Sequence, residues 1–334
     1  MNHKESAFPK LGTLVTAICA AVMLIFCGQV FAQAGIDMGS ITGTVKDPTG
    51  ALVPKAKCTL TNMNTGVTQI AVSTSSGDYS FPIVAVGTYS MKVVASGFKD
   101  YDVSGIVVHL GNTVTQDVLL QVGSASVSVT VTSAAPLLQA QDASLGTTID
   151  STAATQLPIF GGSGGRSFMT LITTAAGVQF TGSNSSTGTF LVHGTQSGAV
   201  DVRVNGADDN AEVFGGITIP PIPDTIQEMK LQTGNDPTEL GHSYGAVVNV
   251  VTKQGTNKFQ GEVWEYNEND MFNANDYFNK RNELLHTPTP LPNRPGRFKE
   301  NSFGGIFGGP VILPGYNGHN KTFFTADFQY TYYT

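Results

Sequence analysis

Between residues 40 and 122, apolar residues recur at every second position in short runs, and each run closes on a turn. "ITGTVKD" sets Ile41 and Val45 on one side of an extended chain, "AKCTLTN" does so with Ala56, Cys58 and Leu60, and "TYSMKVVA" with Tyr89, Met91, Val93 and Ala95. A period of two is that of a half-buried strand. "TQIAVST", "GIVVHLG" and "TVTQDVLL" supply further runs, separated by "DPTG" (47–50), "NMNTG" and "SSGD". About seven short strands at this spacing predict a β-sandwich. Gly50, Gly77 and Gly87 turn the chain, and Tyr79, Phe81 and Tyr89 fill the narrow space between the sheets.

Beyond residue 123 the pattern changes. "SVSVTVT" (126–132) alternates Val127, Val129 and Val131, as a last sandwich strand or an extended linker would. The glycine cluster at 161–165 lacks a Gly-Lys-Ser/Thr ending, so it is no phosphate loop. It predicts a loop into a short helix bearing Phe168, Leu171 and Ile172. "IQEMKLQTG" predicts a strand, and "GAVVNVVTK", with Val247, Val248, Val250 and Val251, predicts one buried on both faces. A "QGTN" turn leads into "KFQGEVWEYNEND", where Glu262, Trp264, Tyr266 and Glu268 share one face, a mixture that assigns neither face. "NSFGGIFGGPVI" sets Phe303, Phe307 and Val311 on one side. "TFFTADFQYTYY" sets Phe324, Ala326, Phe328, Tyr330 and Tyr332 against Thr325, Asp327, Gln329 and Thr331. That is the lipid-out, water-in alternation of an outer-membrane strand, although a soluble amphipathic strand alternates in the same way.

Composition narrows the classes. The 334 residues are 40% hydrophobic and only 13% charged, with 38 glycines, which favours turn-rich β structure over a helical enzyme. A net charge of −7 offers no basic stripe for a phosphate backbone, so no nucleic-acid partner is expected. At the N-terminus, Lys4 and Lys10 precede the apolar "LVTAICAAVMLIFC" and the small residues of "VFAQA". This reads as a secretion signal cleaved after Ala32, with Ala34 as the other fitting site. A transmembrane anchor is the alternative, for which the apolar stretch is short. Phe26 before Cys27 argues against a lipoprotein. Loss of Cys19 and Cys27 with the signal leaves Cys58 without an internal disulfide partner. Cys58 reads as a core residue, with a reactive thiol as the alternative. None of the six His residues begins a metal-peptidase spacing, and His109 is expected within a strand. No metal site, catalytic residue or cofactor is expected.

Two resemblances follow from these residues. "GTVKDPTGALVPKAKCTLTN", "STSSGDYSFPIVAVGTYSMKVVASGFK" and "VTQDVLL" resemble the carboxypeptidase regulatory-like domain, an accessory module to which carbohydrate binding is often attributed. "VRVNGADDN", then "IPDTIQEMKLQTGNDPTELGHSYGAVVNVVTKQGTNKFQGEV", then "FGGIFGGPV" followed by "KTFF" resemble, in order, TonB-dependent outer-membrane receptors of the Oar-like type. The resemblance implies a mainly β fold: a signal peptide at 1–32, an Ig-like or transthyretin-like β-sandwich at 40–122, a linker at 123–135, an α+β plug at 136–253 and the start of a transmembrane β-barrel at 258–334.

Its functional implications are specific. Val127, Val129 and Val131 would lie in the box that a periplasmic TonB-type energy-coupling protein engages by strand addition. Asp208, Asp209 and Asn210 of "NGADDN" would face the ligand and contact a substrate or cation, with a solvated Asx turn as the alternative. The expected partners are that coupling protein, outer-membrane lipid and an extracellular ligand of unknown class, carbohydrate included. The sandwich would sit in the periplasm. Barrels that enclose a plug take about 22 strands, so a chain ending at Thr334 is expected to be a fragment unable to transport. Two other classes stay open: a secreted or surface carbohydrate-binding or adhesion module, and a secreted hydrolase, which no Ser-His-Asp or paired-carboxylate spacing supports.

Overall fold

A computed structural model describes residues 38–123, 129–132, 145–157, 166–180, 190–195, 200–210, 217–234, 245–275, 277, 280 and 297–333. The leader, Ala32 included, lies outside them. Among the described residues no helix is long and apolar enough to cross a membrane, which leaves crossing by strands untouched.

The first third of the chain is a two-sheet sandwich. One sheet has the order β4 (Asp78–Val84), β1 (Gly39–Lys46), β7 (Thr113–Thr115), with β8 (Val118–Leu119) also on β1. The other has the order β3 (Thr68–Val72), β2 (Lys57–Asn62), β5 (Gly87–Val94), β6 (Tyr101–Val108), β9 (Val129–Thr132). The alternation read from the sequence is the alternation of burial: Ile41, Val45, Cys58, Leu60, Tyr79, Phe81, Met91 and Val93 form one core. Tyr79 keeps its hydroxyl satisfied in that core by donating to the Gln116 carbonyl. Gly77, at φ 72°, makes the turn into β4. Burial pushes the Cys58 thiol up to about 12, so it stays protonated and inert as a core residue. His109 departs from expectation. β6 ends at Val108, and His109 opens the turn that follows.

The second body is a five-stranded sheet in the order β10 (Leu145–Asp150), β15 (Ile226–Gly234), β16 (Ala246–Thr252), β13 (Val200–Val204), β14 (Ala207–Asp208). The hairpin of β11 (Val178–Phe180) and β12 (Phe190–Val192) stands beside it in the chain. Two short helices, α1 (Ser151–Gln156) and α2 (Phe168–Ile172), supply Ala154, Phe168, Leu171 and Ile172 to the sheet's apolar face. The expected loop-to-helix element at Phe168–Ile172 is present, whereas the 161–165 cluster lies outside the described residues. β16 is buried along its length, as its valine run predicts. Its two faces differ in kind, however. Ala246, Val248 and Val250 join the apolar core. Val247 and Val251 lie on the opposite face with Asn249, which is flanked in register by Lys230 and Arg203. That face is polar and yet shielded from water.

The third body is an antiparallel sheet of β17 (Gln260–Asn269), β18 (Lys299–Pro310) and β21 (Phe323–Tyr333). The small hairpin of β19 (Ile312–Leu313) and β20 (Tyr316–Asn317) separates the last two. Register settles the faces that the sequence left open. Phe303 opposes Tyr330, Phe307 opposes Ala326, and Gly305 lies between Val263 and Phe328. One face therefore carries Val263 (87% exposed), Phe303, Phe307, Phe324, Phe328, Tyr330 and Tyr332. Phe307 and Phe324 meet with ring centroids 5.8 Å apart. Such a band of exposed aromatics suits hydrocarbon and its interface better than water. The other face carries Glu262, Trp264 and Tyr266 from β17 and Gln329 from β21. Val311 falls outside β18, so it does not extend the Phe303–Phe307 row.

Gly304 sits between Trp264 and Gln329 in register, and a Cβ there would come within 2.8 Å of the Trp264 indole. The bare backbone is the floor on which the indole lies. Gly304→Val is therefore expected to lift Trp264 off β18. Trp264 is the chain's one tryptophan, so its emission spectrum reads the site alone. A red shift is expected, and an unchanged spectrum would contradict this packing.

Candidate functional site: the polar ties of the central sheet

The five-stranded sheet is tied to the other two bodies by discrete polar contacts. The first tie joins it to the three-stranded sheet. A 3-10 turn at Pro223–Thr225 leads into β15 and buries Asp224 completely. The Arg166 guanidinium approaches it, Nε to Oδ2 3.4 Å, with side-chain exposures of 2% and 1%. At that distance the contact is an ion pair and not a hydrogen bond. Asp224 gains its hydrogen bond from across the seam, where Tyr266 of β17 donates its hydroxyl to Oδ1 at 2.5 Å. The Arg166 guanidinium carbon lies over the same Tyr266 ring, 3.9 Å from its centroid, and the guanidinium donates to the Ala154 and Thr155 carbonyls of α1. One aromatic side chain thus offers a hydroxyl to the anion and a π face to the cation. Tyr266 points its side chain toward the central body, so the Glu262–Trp264–Tyr266 face is the inner one.

The second tie joins the central sheet to the sandwich. Glu228 and Lys230 alternate on β15 and share its polar face, and both are buried. Glu228 accepts from the Leu110 backbone N–H at 2.9 Å and meets His109 Nδ1 at 3.1 Å. Lys230 donates to the Asn112 side-chain oxygen at 3.0 Å and to the Gly111 carbonyl at 3.3 Å. Two side chains thus hold all four residues of the turn 109–112. Glu228 is the main reason that His109 gains a proton more readily than a free histidine.

A third contact runs from the sandwich to the three-stranded sheet. Asn257 donates its backbone N–H to the Asn64 carbonyl at 3.0 Å and its side chain to the Thr65 carbonyl at 2.6 Å. Its side-chain oxygen accepts from the Asn320 backbone N–H at 2.8 Å.

The residues singled out in the sequence fall as follows. Asn205 and Gly206 make the β13–β14 turn with positive φ. Just beyond it, Asn210 donates to Asp201 Oδ1 at 2.6 Å and to Asp208 Oδ1 at 2.7 Å, and accepts from the Val202 N–H. Arg203 completes Asp201 at 3.0 Å. Asp209 accepts from the Ile219 N–H. Asp208 and Asn210 thus sit in an internal network of the Asx kind, and Asp209 is tied separately to Ile219. Among the described residues no group of three His, Cys, Asp or Glu could hold a metal ion. Val129 and Val131 lie in β9, parallel to β6 and opposite Tyr101 and Val103, while Val127 lies outside the described residues. Arg166, Asp224, Tyr266, His109 and Glu228 were not foreseen as a set. His109 and Glu228 carry one local signal, a polar side chain that interrupts an apolar run, whereas Arg166 in "GGRS" and Tyr266 in "WEYN" carry none.

Comparison with known proteins gives the molecular context. Residues 40–121 match the carboxypeptidase regulatory-like domain, and residues 251–334 match the outer membrane beta barrel domain. The TonB-dependent transporter Oar of Myxococcus xanthus is 26% identical over 302 residues, covering 89% of this chain and 27% of that protein. The chain therefore spans about a quarter of the length of that relative. Among solved structures, the siderophore receptor PirA from Acinetobacter baumannii is 18% identical, covering 51% of this chain and 23% of that one, with a TM-score of 0.36. PirA from Pseudomonas aeruginosa is 15% identical, covering 50% and 26%, with a TM-score of 0.34. Likeness at these scores carries nothing about function. The resemblance to TonB-dependent outer-membrane receptors of the Oar-like type stands on the relative and on the two domain matches.

Arg166 gives a graded test of the first tie. Arg166→Met leaves Asp224 buried without its cation and is expected to destabilise the central body by about 3–5 kcal/mol. Arg166→Lys restores charge without the guanidinium over Tyr266 and should recover part of the loss. Urea midpoints of the three proteins decide it, and a neutral Arg166→Met would dismiss the tie.

Proposed function

We propose that the chain is the N-terminal part of a TonB-dependent outer-membrane receptor that takes up a ligand in an energised step. The observation that carries this reading is the likeness to a TonB-dependent transporter across 89% of the chain. The exposed aromatic face of β17, β18 and β21 supports it physically, because strands crossing hydrocarbon present apolar side chains outward and polar ones inward. In this reading the five-stranded body is the plug and the three-stranded sheet is the beginning of the barrel wall. The sandwich sits on the periplasmic side, delivered by a signal cleaved after Ala32.

The contact for the coupling protein is the segment of Val127, Val129 and Val131. An extended strand can be gripped through its backbone with little demand on side chains. Asp208, Asp209 and Asn210 remain the candidate ligand contacts, at a turn that their internal bonds keep rigid. No bond in the ligand is made or broken, so the protein acts as a transporter and not as an enzyme.

Fractionation of the source cells, with an antibody against the sandwich, tests the reading. The gene product is expected in the outer-membrane fraction, released by detergent and not by salt. Deleting residues 126–132 should leave it there while abolishing its cross-linking to the TonB-type protein. Recovery as a freely soluble protein would refute the proposal and favour a secreted carbohydrate-binding or adhesion module.

A further inference from the structure

We propose that the turn 109–112 is a bolt between the sandwich and strand β15, seated more firmly when His109 carries a proton. The geometry supplies the bolt. Glu228 and Lys230 grip the turn from both ends, one accepting the Leu110 N–H and facing His109, the other donating to Gly111 and Asn112. Three of these contacts involve a backbone group or a neutral amide, so they persist at any ordinary pH. The fourth changes in strength with pH. With a neutral imidazole the His109–Glu228 contact is a hydrogen bond in one tautomer. With an imidazolium it is a charged pair against a carboxylate that is only 5% exposed.

The surrounding charges favour the proton. Glu228 faces the ring directly, and Asp150, at the end of β10, adds its field. Lys230 lies two residues along β15, engaged with the other end of the turn. Glu228 and then Asp150 raise the affinity of His109 for a proton against the opposing effect of burial. The sign follows from linkage. A group held at a raised pKa when docked adds stability that is fully present below its undocked value, about 6.5, and is lost as pH climbs through the docked value. Acid therefore seats the sandwich, and rising pH weakens the fourth contact from a charged pair to a neutral hydrogen bond.

The position of the bolt gives it a consequence. The turn follows β6, which carries β9 along its edge, so tension on β9 reaches β15 through one strand and one turn. That consequence rests on the proposed function. The docking and its pH response do not.

The test is amide exchange, corrected for intrinsic rates, on the full chain in detergent at about pH 5.5 and about pH 8. In the native protein, residues 109–112 and 226–232 are expected to open several-fold more at the higher pH. His109→Gln should open equally at both values. Glu228→Gln should open more than native at both, while Met91 and Val93 in the sandwich core report intact folding. Equal opening of the native protein at the two pH values would overturn the proposal, as would a pH response that survives His109→Gln.

Discussion

A charge taken out of water needs a partner, and around the central sheet the partners come from elsewhere in the chain. Asp224 is completely buried, and its hydrogen bond comes from Tyr266 on another sheet. Glu228 and Lys230 are nearly as deeply buried, and what they bind is a turn of the sandwich. The central body can shed its neighbours only if water or other protein groups take over these contacts. These contacts tie the central sheet to both of its neighbours.

The same constraint separates what the central body keeps to itself from what it shares with its neighbours. The apolar face of the sheet is closed by its own helices, with Phe168, Leu171 and Ile172 on Met229, Leu231, Val248 and Val250. That core goes with the sheet wherever the sheet goes. The faces it shows to the sandwich and the outer sheet are joined by a few discrete polar contacts. Water can replace each of these group by group, whereas exposing an apolar core face has no such compensation. The division is between a permanent core and exchangeable rims.

How much of this the sequence shows depends on the range of the interaction. Strand alternation is local, so Ala56, Cys58 and Leu60, or Phe328 and Tyr330, declare their faces within a few residues. Faces that mix acids with aromatics do not. Glu262, Trp264 and Tyr266 take their face from partners distant in the chain: Tyr266 reaches Asp224, 42 residues earlier. Val247 and Val251 looked like core because they are apolar, but their neighbours in register are Gln232 and Asp201 for the first and Glu228 for the second. His109 and Glu228 lie 119 residues apart. Each reads alone as an ordinary polar position, and nothing in either neighbourhood names the other. Family likeness supplies the order of the bodies but does not say which side chains hold them together.

The five-stranded body is held to the three-stranded sheet by a desolvated charge, Asp224, whose hydrogen bond comes from Tyr266 of β17. A double-mutant cycle of Asp224→Asn and Tyr266→Phe, read as the opening free energy of β16 amides, measures that link alone. The account predicts a coupling of about 1–3 kcal/mol, with the double variant far less damaged than the sum of the singles. Strictly additive effects, within about 0.5 kcal/mol, would mean that the two side chains meet without holding anything.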